Sequence, residues 1–196
     1  MTFAVPHLIG EGGAPKLANL VTVSRLVLVG PILALLLAGR SGAALALYLL
    51  AAGTDGMDGW LARREGRMSE YGAKLDAVVD NLFSIAILPF LLFAVPGVGE
   101  RHPLALLVLF AGPVLYLAVS LLLTGRPMMF HFVSAKLGAL LLFALWPVLA
   151  WTGWEWVVPL AALAVGLSRL EQVWFMLRGG TDLDAPHGFA PVIPPD

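Results

Sequence analysis

Six apolar stretches run through this chain almost without interruption, and they constrain the fold more than any other feature: Leu20–Gly39, Ala43–Leu61, Gly72–Val95, Leu104–Thr124, Ser134–Trp151 and Val157–Leu177. Each is close to the roughly 20 residues that a helix rising 1.5 Å per residue needs to cross the hydrocarbon core of a bilayer. Short joins rich in Gly and Pro separate several of them: Gly39-Arg40-Ser41-Gly42, Pro96-Gly97-Val98-Gly99, Gly125-Arg126-Pro127 and Thr152-Gly153. Joins this short make sequential helices antiparallel neighbours. Pro31, Pro89, Pro113, Pro147 and Pro159 fall inside the stretches, where a bundle tolerates them when neighbouring helices satisfy the freed carbonyls. Composition agrees: 59% of the residues are hydrophobic and only 13% are charged. That supply of charge cannot coat a water-facing surface, so a soluble enzyme, a disordered chain and a nucleic-acid binder are all poor readings. With no cysteine, disulfides and cysteine-ligated metal sites are excluded.

The expected fold is therefore an all-α integral membrane protein of six transmembrane helices with a short N-terminal juxtamembrane segment. Its expected parts are that segment at residues 1–18, a six-helix membrane domain at 19–178 and a mobile C-terminal tail at 179–196. The first segment lacks a basic start and a separate cleavable apolar core, so no signal peptide is expected. The tail is rich in Gly, Pro and Asp and has no periodicity. No internal repeat is evident. Lys16, Arg25, Arg63, Arg64, Arg67, Lys74, Arg126, Lys136, Arg169 and Arg178 fall on or near the side shared by both termini, whereas Arg40 and Arg101 fall on the other. A ten-to-two bias of this kind places the termini in the cytoplasm. Trp146, Trp151, Trp154 and Trp156 gather around the far end of the last two stretches and read as an interfacial belt.

The aspartates are in the wrong place for a bundle without chemistry. Outside the tail they are Asp55, Asp58, Asp76 and Asp80, at the end of the second stretch and the start of the third. The spacings i, i+3 and i, i+4 put each pair on one helix face, and the short connection between them lets the two pairs converge. Four carboxylates in a low-dielectric setting repel one another and need protons or cations between them. Two divalent cations would balance the four charges, and hard oxygen donors suit Mg²⁺ or Mn²⁺. As helix caps or partners of Arg63, Arg64 and Arg67, the acids would be explained only one or two at a time.

The segment reads Asp55-x2-Asp58-Gly59-x2-Ala62-Arg63-x8-Gly72-x3-Asp76-x3-Asp80. This resembles the signature of the CDP-alcohol phosphotransferase family of membrane enzymes at all eight of its defining positions. Asn19-x2-Thr22-x2-Arg25 is similar to the family's motif at the start of the first helix, with Ala18 where many members have Pro. The resemblance implies displacement of CMP from a CDP-linked alcohol by the hydroxyl of an acceptor. It implies that Asp55, Asp58, Asp76 and Asp80 bind two ions and that Asp80 is the catalytic base. It also implies that Asn19, Thr22, Arg25, Gly59, Ala62, Arg63, Ser69 and Gly72 surround the nucleotide. The chemistry suits these residue types: glycines let a nucleotide approach the backbone, and a guanidinium fork matches phosphate oxygens.

Recognition of the acceptor is less constrained. Arg126, Lys136 and Arg169 are the candidate contacts, and Ser134, Ser168 and Glu171 lie close to them in sequence. An arginine within an apolar helix is functional or paired, here with Glu171 or another carboxylate. The expected partners are CDP-diacylglycerol or another CDP-alcohol, a small polar acceptor alcohol and the lipid bilayer, with no nucleic acid. Homodimers are common in the family, and a bacterial or archaeal cell membrane is the expected location. Phosphatidylglycerophosphate synthase is the favoured subtype. Phosphatidylserine, phosphatidylinositol-phosphate, cardiolipin and CDP-choline-type enzymes are the alternatives. A divalent-cation or proton-coupled transporter is the rival from another class, but it would spread polar residues over several spans, and these acids occupy one hairpin.

Overall fold

In a computed structural model, the protein is described at residues 17–64, 70–125, 128, 130, 132–183 and 185–190. Its described residues are all-helical, with no strands. The helices are α1 (Leu17–Leu37), α2 (Ser41–Arg64), α3 (Glu70–Ala94), α4 (Val98–Arg101), α5 (Pro103–Thr124), α6 (Val133–Thr152) and α7 (Val157–Leu177). Each apolar stretch of the sequence lies in a long helix. The four-residue α4 is an addition, formed where Pro96–Gly99 reads as a plain turn. Among the described residues, four helices are long and apolar enough to cross a membrane, over Leu20–Leu37, Pro103–Thr124, Val133–Thr152 and Val157–Leu177. The described side chains of α2 and α3 form further apolar runs over Ser41–Thr54 and Val79–Ala94. Six helices are long, and four of them qualify as spans by the length and apolarity of their described residues.

Glycine ends these helices where the sequence punctuation places it. At Gly39 (φ 69°) and Gly179 (φ 83°) the chain enters the left-handed region, which costs an L side chain about 1–2 kcal/mol and glycine almost nothing. In both places the next two amides reach back to the last turn: Gly39 N donates to the Leu36 carbonyl and Arg40 N to that of Leu35, as Gly179 N does to Met176 and Gly180 N to Phe175. These bonds satisfy carbonyls that a helix end otherwise leaves open.

The chain divides into two compact units, Met1–Ala94 and Val95–Asp196. In the first, α1 packs against both α2 and α3. Tyr48 of α2 stacks on Phe83 of α3 at 5.8 Å and meets Phe90 edge-on at 6.0 Å. Ala44, Tyr48 and Ala51 recur at helical spacing on the buried face of α2, as Val79, Phe83, Ile87 and Phe90 do on α3. In the second unit, α7 packs against both α5 and α6. Its buried face is Ala161, Val165, Ser168, Gln172 and Phe175, while Leu160, Leu163, Leu167, Leu170, Trp174 and Leu177 face outward. A soluble monomer rarely exposes so continuous an apolar stripe; in a bilayer it faces lipid.

Two expectations need correcting in this unit. Trp146 is only 1% exposed and shares the buried face of α6 with Leu142, Leu145 and Leu149. It is a core residue, whereas Trp151, Trp154 and Trp156 are exposed. The stretch read from the sequence as a mobile tail is docked at residues 185–190. There Ala185 and Ala190 are buried against Tyr116, Met128, Phe130, Phe132, Phe175 and Met176. Residues 191–196 lie outside the described residues, as does the juxtamembrane segment up to residue 16.

The turn between α6 and α7 is clasped to α4. Glu155 takes a two-pronged contact from Arg101, Nε to Oε2 at 2.8 Å and Nη2 to Oε1 at 2.7 Å, and His102 Nε2 lies 3.1 Å from Oε2. Hydrogen bonds from Arg101, and then from His102, hold the Glu155 carboxyl below its ordinary range. A carboxyl whose folded value is depressed stabilises the fold above its unfolded value, and that contribution disappears as pH falls through the folded value. The exposed setting keeps the contribution small. Thermal unfolding in detergent is therefore expected to show Glu155→Gln melting slightly below the parent at pH 7, with the gap closing as pH is lowered below the carboxylate range.

Candidate functional site

In the first unit, the site begins with two motif residues that are 55 positions apart in the chain. Arg25 of α1 and Asp80 of α3 form an ion pair, Nη1 to Oδ1, with the arginine 1% exposed and the carboxylate 35%. Thr22, one turn earlier on α1, is also buried. The first-helix motif and the last aspartate of the hairpin motif thus meet across a helix–helix contact. One turn beyond Asp80, the Ser84 hydroxyl donates a hydrogen bond to the Asp80 backbone carbonyl at 2.7 Å.

The remaining motif positions are located by backbone. Asp55, Asp58, Gly59, Ala62 and Arg63 lie in α2, and Gly72 and Asp76 lie in α3. Their side chains lie outside the described residues, as does that of Asn19 at the start of α1. Ser69 lies outside them altogether. Among the described residues, no group of three His, Asp or Glu side chains is placed to hold a metal ion. The donor chemistry of the motif is all carboxylate oxygen on two consecutive helices, which fits a hard divalent cation and not a soft one.

The second unit carries a separate polar network at the α7 half that precedes Gly179. Arg169 donates from Nη1 to Gln172 Oε1 at 3.0 Å, and its guanidinium lies over the Tyr116 ring, 5.0 Å from the centroid. Its buried Nε has no hydrogen-bond partner among the described residues. Gln172 Nε2 donates to Ser168 Oγ at 3.2 Å, and Ser134 of α6 donates to Glu171 Oε2. Tyr116 in turn donates to the Met128 carbonyl at 2.8 Å, while the Met128 amide donates to Ser120 Oγ at 2.7 Å. Helices α5, α6 and α7 and the connection after α5 are thereby tied by one chain of polar contacts.

Arg169 does not pair with Glu171, as the sequence reading had it. Residues i and i+2 point to different sides of a helix; the partner is Gln172, at i+3. Of the other candidate acceptor contacts, Lys136 is exposed on the first turn of α6, and Arg126, like His131, lies outside the described residues. Sequence reasoning passed over Gln172, Tyr116 and Ser120. Their signal was present as polar side chains at helical spacing in strongly apolar helices, Gln172 from Ser168 and Ser120 from Tyr116.

Tyr116 has two separable roles here. Tyr116→Phe is expected to lower stability by about 1 kcal/mol, the net worth of one buried hydrogen bond, while keeping the ring under Arg169. Tyr116→Leu should add a further loss of about 0.5–2 kcal/mol from the cation–π contact. Denaturation of the purified variants in detergent, followed by circular dichroism, measures both steps.

Residues 15–168 match the family model described as CDP-alcohol phosphatidyltransferase. No curated protein matches the chain, and no solved structure does.

Proposed function

The chain belongs to the CDP-alcohol phosphatidyltransferase family, and on that premise we propose that it transfers a phosphatidyl group from CDP-diacylglycerol to the hydroxyl of a small polar acceptor, releasing CMP. The family is one of membrane transferases of phospholipid biosynthesis, and its members generally use divalent metals. The favoured subtype is phosphatidylglycerophosphate synthase, with a glycerol phosphate as acceptor. The observation that carries the reading is the placement of the hairpin motif on α2 and α3, with its last aspartate turned onto the motif arginine of α1.

In this reading all six long helices cross the membrane, α2 and α3 with their polar halves toward the cytoplasmic side, where both termini also lie. Asp55, Asp58, Asp76 and Asp80 would hold two Mg²⁺ or Mn²⁺ ions, whose chemistry is to neutralise charge on the pyrophosphate oxygens during in-line displacement. Arg63 grips the CDP phosphates through its fork of donors. Gly59, Ala62 and Gly72 keep the nucleotide's path to the backbone clear, and Asn19, Thr22, Ser69 and Arg25 bound the same pocket. Asp80 takes the proton from the acceptor hydroxyl as the oxygen attacks phosphorus and the bond to CMP breaks. Arg25 holds that carboxylate in a fixed rotamer, so its role in this chain includes orienting Asp80.

Arg126, Lys136 and Arg169 are proposed for the acceptor's phosphate. For Arg169 the support is its buried Nε, a donor with no hydrogen-bond partner among the described residues. A buried donor left open costs on the order of 1–3 kcal/mol, and an anionic acceptor would recover it.

Purified protein supplied with CDP-diacylglycerol, Mg²⁺ or Mn²⁺ and a panel of acceptor alcohols should release CMP only with metal present. The acceptor that sustains release names the subtype. Asp80→Asn should lower turnover by about 10²–10⁴-fold, the usual contribution of a general base. Metal flux into liposomes without CMP release from any acceptor would overturn the enzyme reading in favour of a transporter. Gly59→Val should abolish binding of a CDP probe while helical content is unchanged; normal CDP affinity in that variant would contradict the close approach of nucleotide to α2.

A further inference from the structure

The segment after α7 is held by contacts that nothing in the proposed chemistry uses. The turn at Gly179-Gly180 reverses the chain, so that Gly188 returns to Glu171, two turns back along α7. There the Gly188 amide donates to Glu171 Oε1 at 2.8 Å, while Ser134 of α6 donates to the other oxygen of the same carboxylate. Glu171 therefore bridges three pieces of chain. A second tie joins Val133 N, at the first turn of α6, to the Pro186 carbonyl at 3.1 Å. The approach at Gly188 is too close for any side chain: a Cβ there would lie 2.7 Å from Glu171 Cγ and 2.7 Å from the Glu171 carbonyl oxygen.

Of the connection between α5 and α6, the described residues Met128, Phe130 and Phe132 are buried. Phe130 and Phe132 stack on each other at 5.1 Å and both meet Phe175 of α7 edge-on, at 5.3 and 5.4 Å. Ala185 and Ala190 of the strap are buried in the same cluster. These three residues are thus packed with α7 and the strap in one core, and the Met128 carbonyl holds the Tyr116 hydroxyl beneath the Arg169 guanidinium.

We propose that residues 185–190 and Glu171 form a latch that positions the acceptor side of the enzyme, with Glu171 acting as a hydrogen-bond bridge and not as a charge. The acceptor role rests on the transferase reading above; the latch itself does not. Opening the latch frees the α5–α6 connection and the base of Tyr116, so affinity for the acceptor falls while the nucleotide side is unaffected. A glutamine at position 171 can still accept from the Gly188 amide and exchange a hydrogen bond with the Ser134 hydroxyl, which both donates and accepts. An alanine can do neither.

The cysteine-free chain offers a clean reporter. In the full-length protein in detergent, Ala185→Cys places a thiol at a site that is 2% exposed, where a maleimide should react slowly. Adding Gly188→Val or Glu171→Ala should speed labelling about tenfold or more, as expected when a protected site opens locally, whereas adding Glu171→Gln should not. Steady-state CMP release is then measured on the same latch substitutions without the reporter, using the acceptor that the parent accepts. Gly188→Val and Glu171→Ala should raise the acceptor KM about tenfold with KM for CDP-diacylglycerol unchanged, and Glu171→Gln should restore the parent value.

Fast labelling of Ala185→Cys alone, or equal labelling in all backgrounds, overturns the latch. Loss in Glu171→Gln equal to that in Glu171→Ala overturns the bridging role in favour of a charge. Labelling as expected with an unchanged acceptor KM overturns the positioning role. A parent that releases no CMP overturns the transferase reading and the acceptor role with it, while the labelling result stands as evidence on the latch.

Discussion

A polar group carried into a bilayer on a helix has no water to answer it, so another part of the protein must. Two arginines on long apolar helices face this demand and meet it differently. Arg25 is met by a full carboxylate on a neighbouring helix. Removing one member of such a pair strands the other, which costs more than the pair itself contributes, and so α1 and α3 are bound to each other's orientation. Arg169 has no carboxylate among its described contacts. It is met by a neutral amide and an aromatic face, worth about 1.5–3 kcal/mol for a hydrogen bond to a charged group and about 0.5–2 kcal/mol respectively. Against a cost of roughly 2.5–3.5 kcal/mol for an arginine at helix centre on insertion scales, these contacts come close to balance, and one donor is still open.

That difference is one of charge. A guanidinium paired with a carboxylate fixes the orientation of that side chain, whereas one held only by neutral partners keeps its charge uncompensated. About 12 Å of helix separates Arg169 from the end of α7 at 1.5 Å per residue, so snorkelling to the interface does not relieve it easily. The network through Gln172, Ser168, Ser134 and Tyr116 does, at the expense of tying three helices to one geometry.

What was legible in the sequence follows the same physics. Long apolar runs and glycine punctuation act over one turn or one helix, and all six long helices could be read from them, together with turns such as those at Gly39, Gly125 and Gly153. The aspartate motif was legible because its spacing is a helix spacing. The partner of Asp80 was not: Arg25 lies on another helix, and which faces meet depends on how both helices rotate. Arg169 shows a local version of the same difficulty, since charge alone favours Glu171 where helix geometry selects Gln172. The docked strap was hidden because backbone hydrogen bonds and two alanines hold it, and neither leaves a periodic signature. Trp146 was misplaced because tryptophan suits an interface and a core equally well, and only its phase with Leu142, Leu145 and Leu149 decides between them.

The charged residues of the α2–α3 hairpin have a structural consequence. Asp55, Asp58, Arg63 and Arg64 lie in the second half of α2, and Glu70, Lys74, Asp76 and Asp80 lie in the first half of α3, and lipid is a poor cover for such residues. Another part of the protein must pack there. In the first unit the helix that packs on both is α1, which carries Thr22 and Arg25 on its buried face. A polar patch on an otherwise apolar first helix is what a charged hairpin in a membrane requires, and Arg25 meets that demand at Asp80.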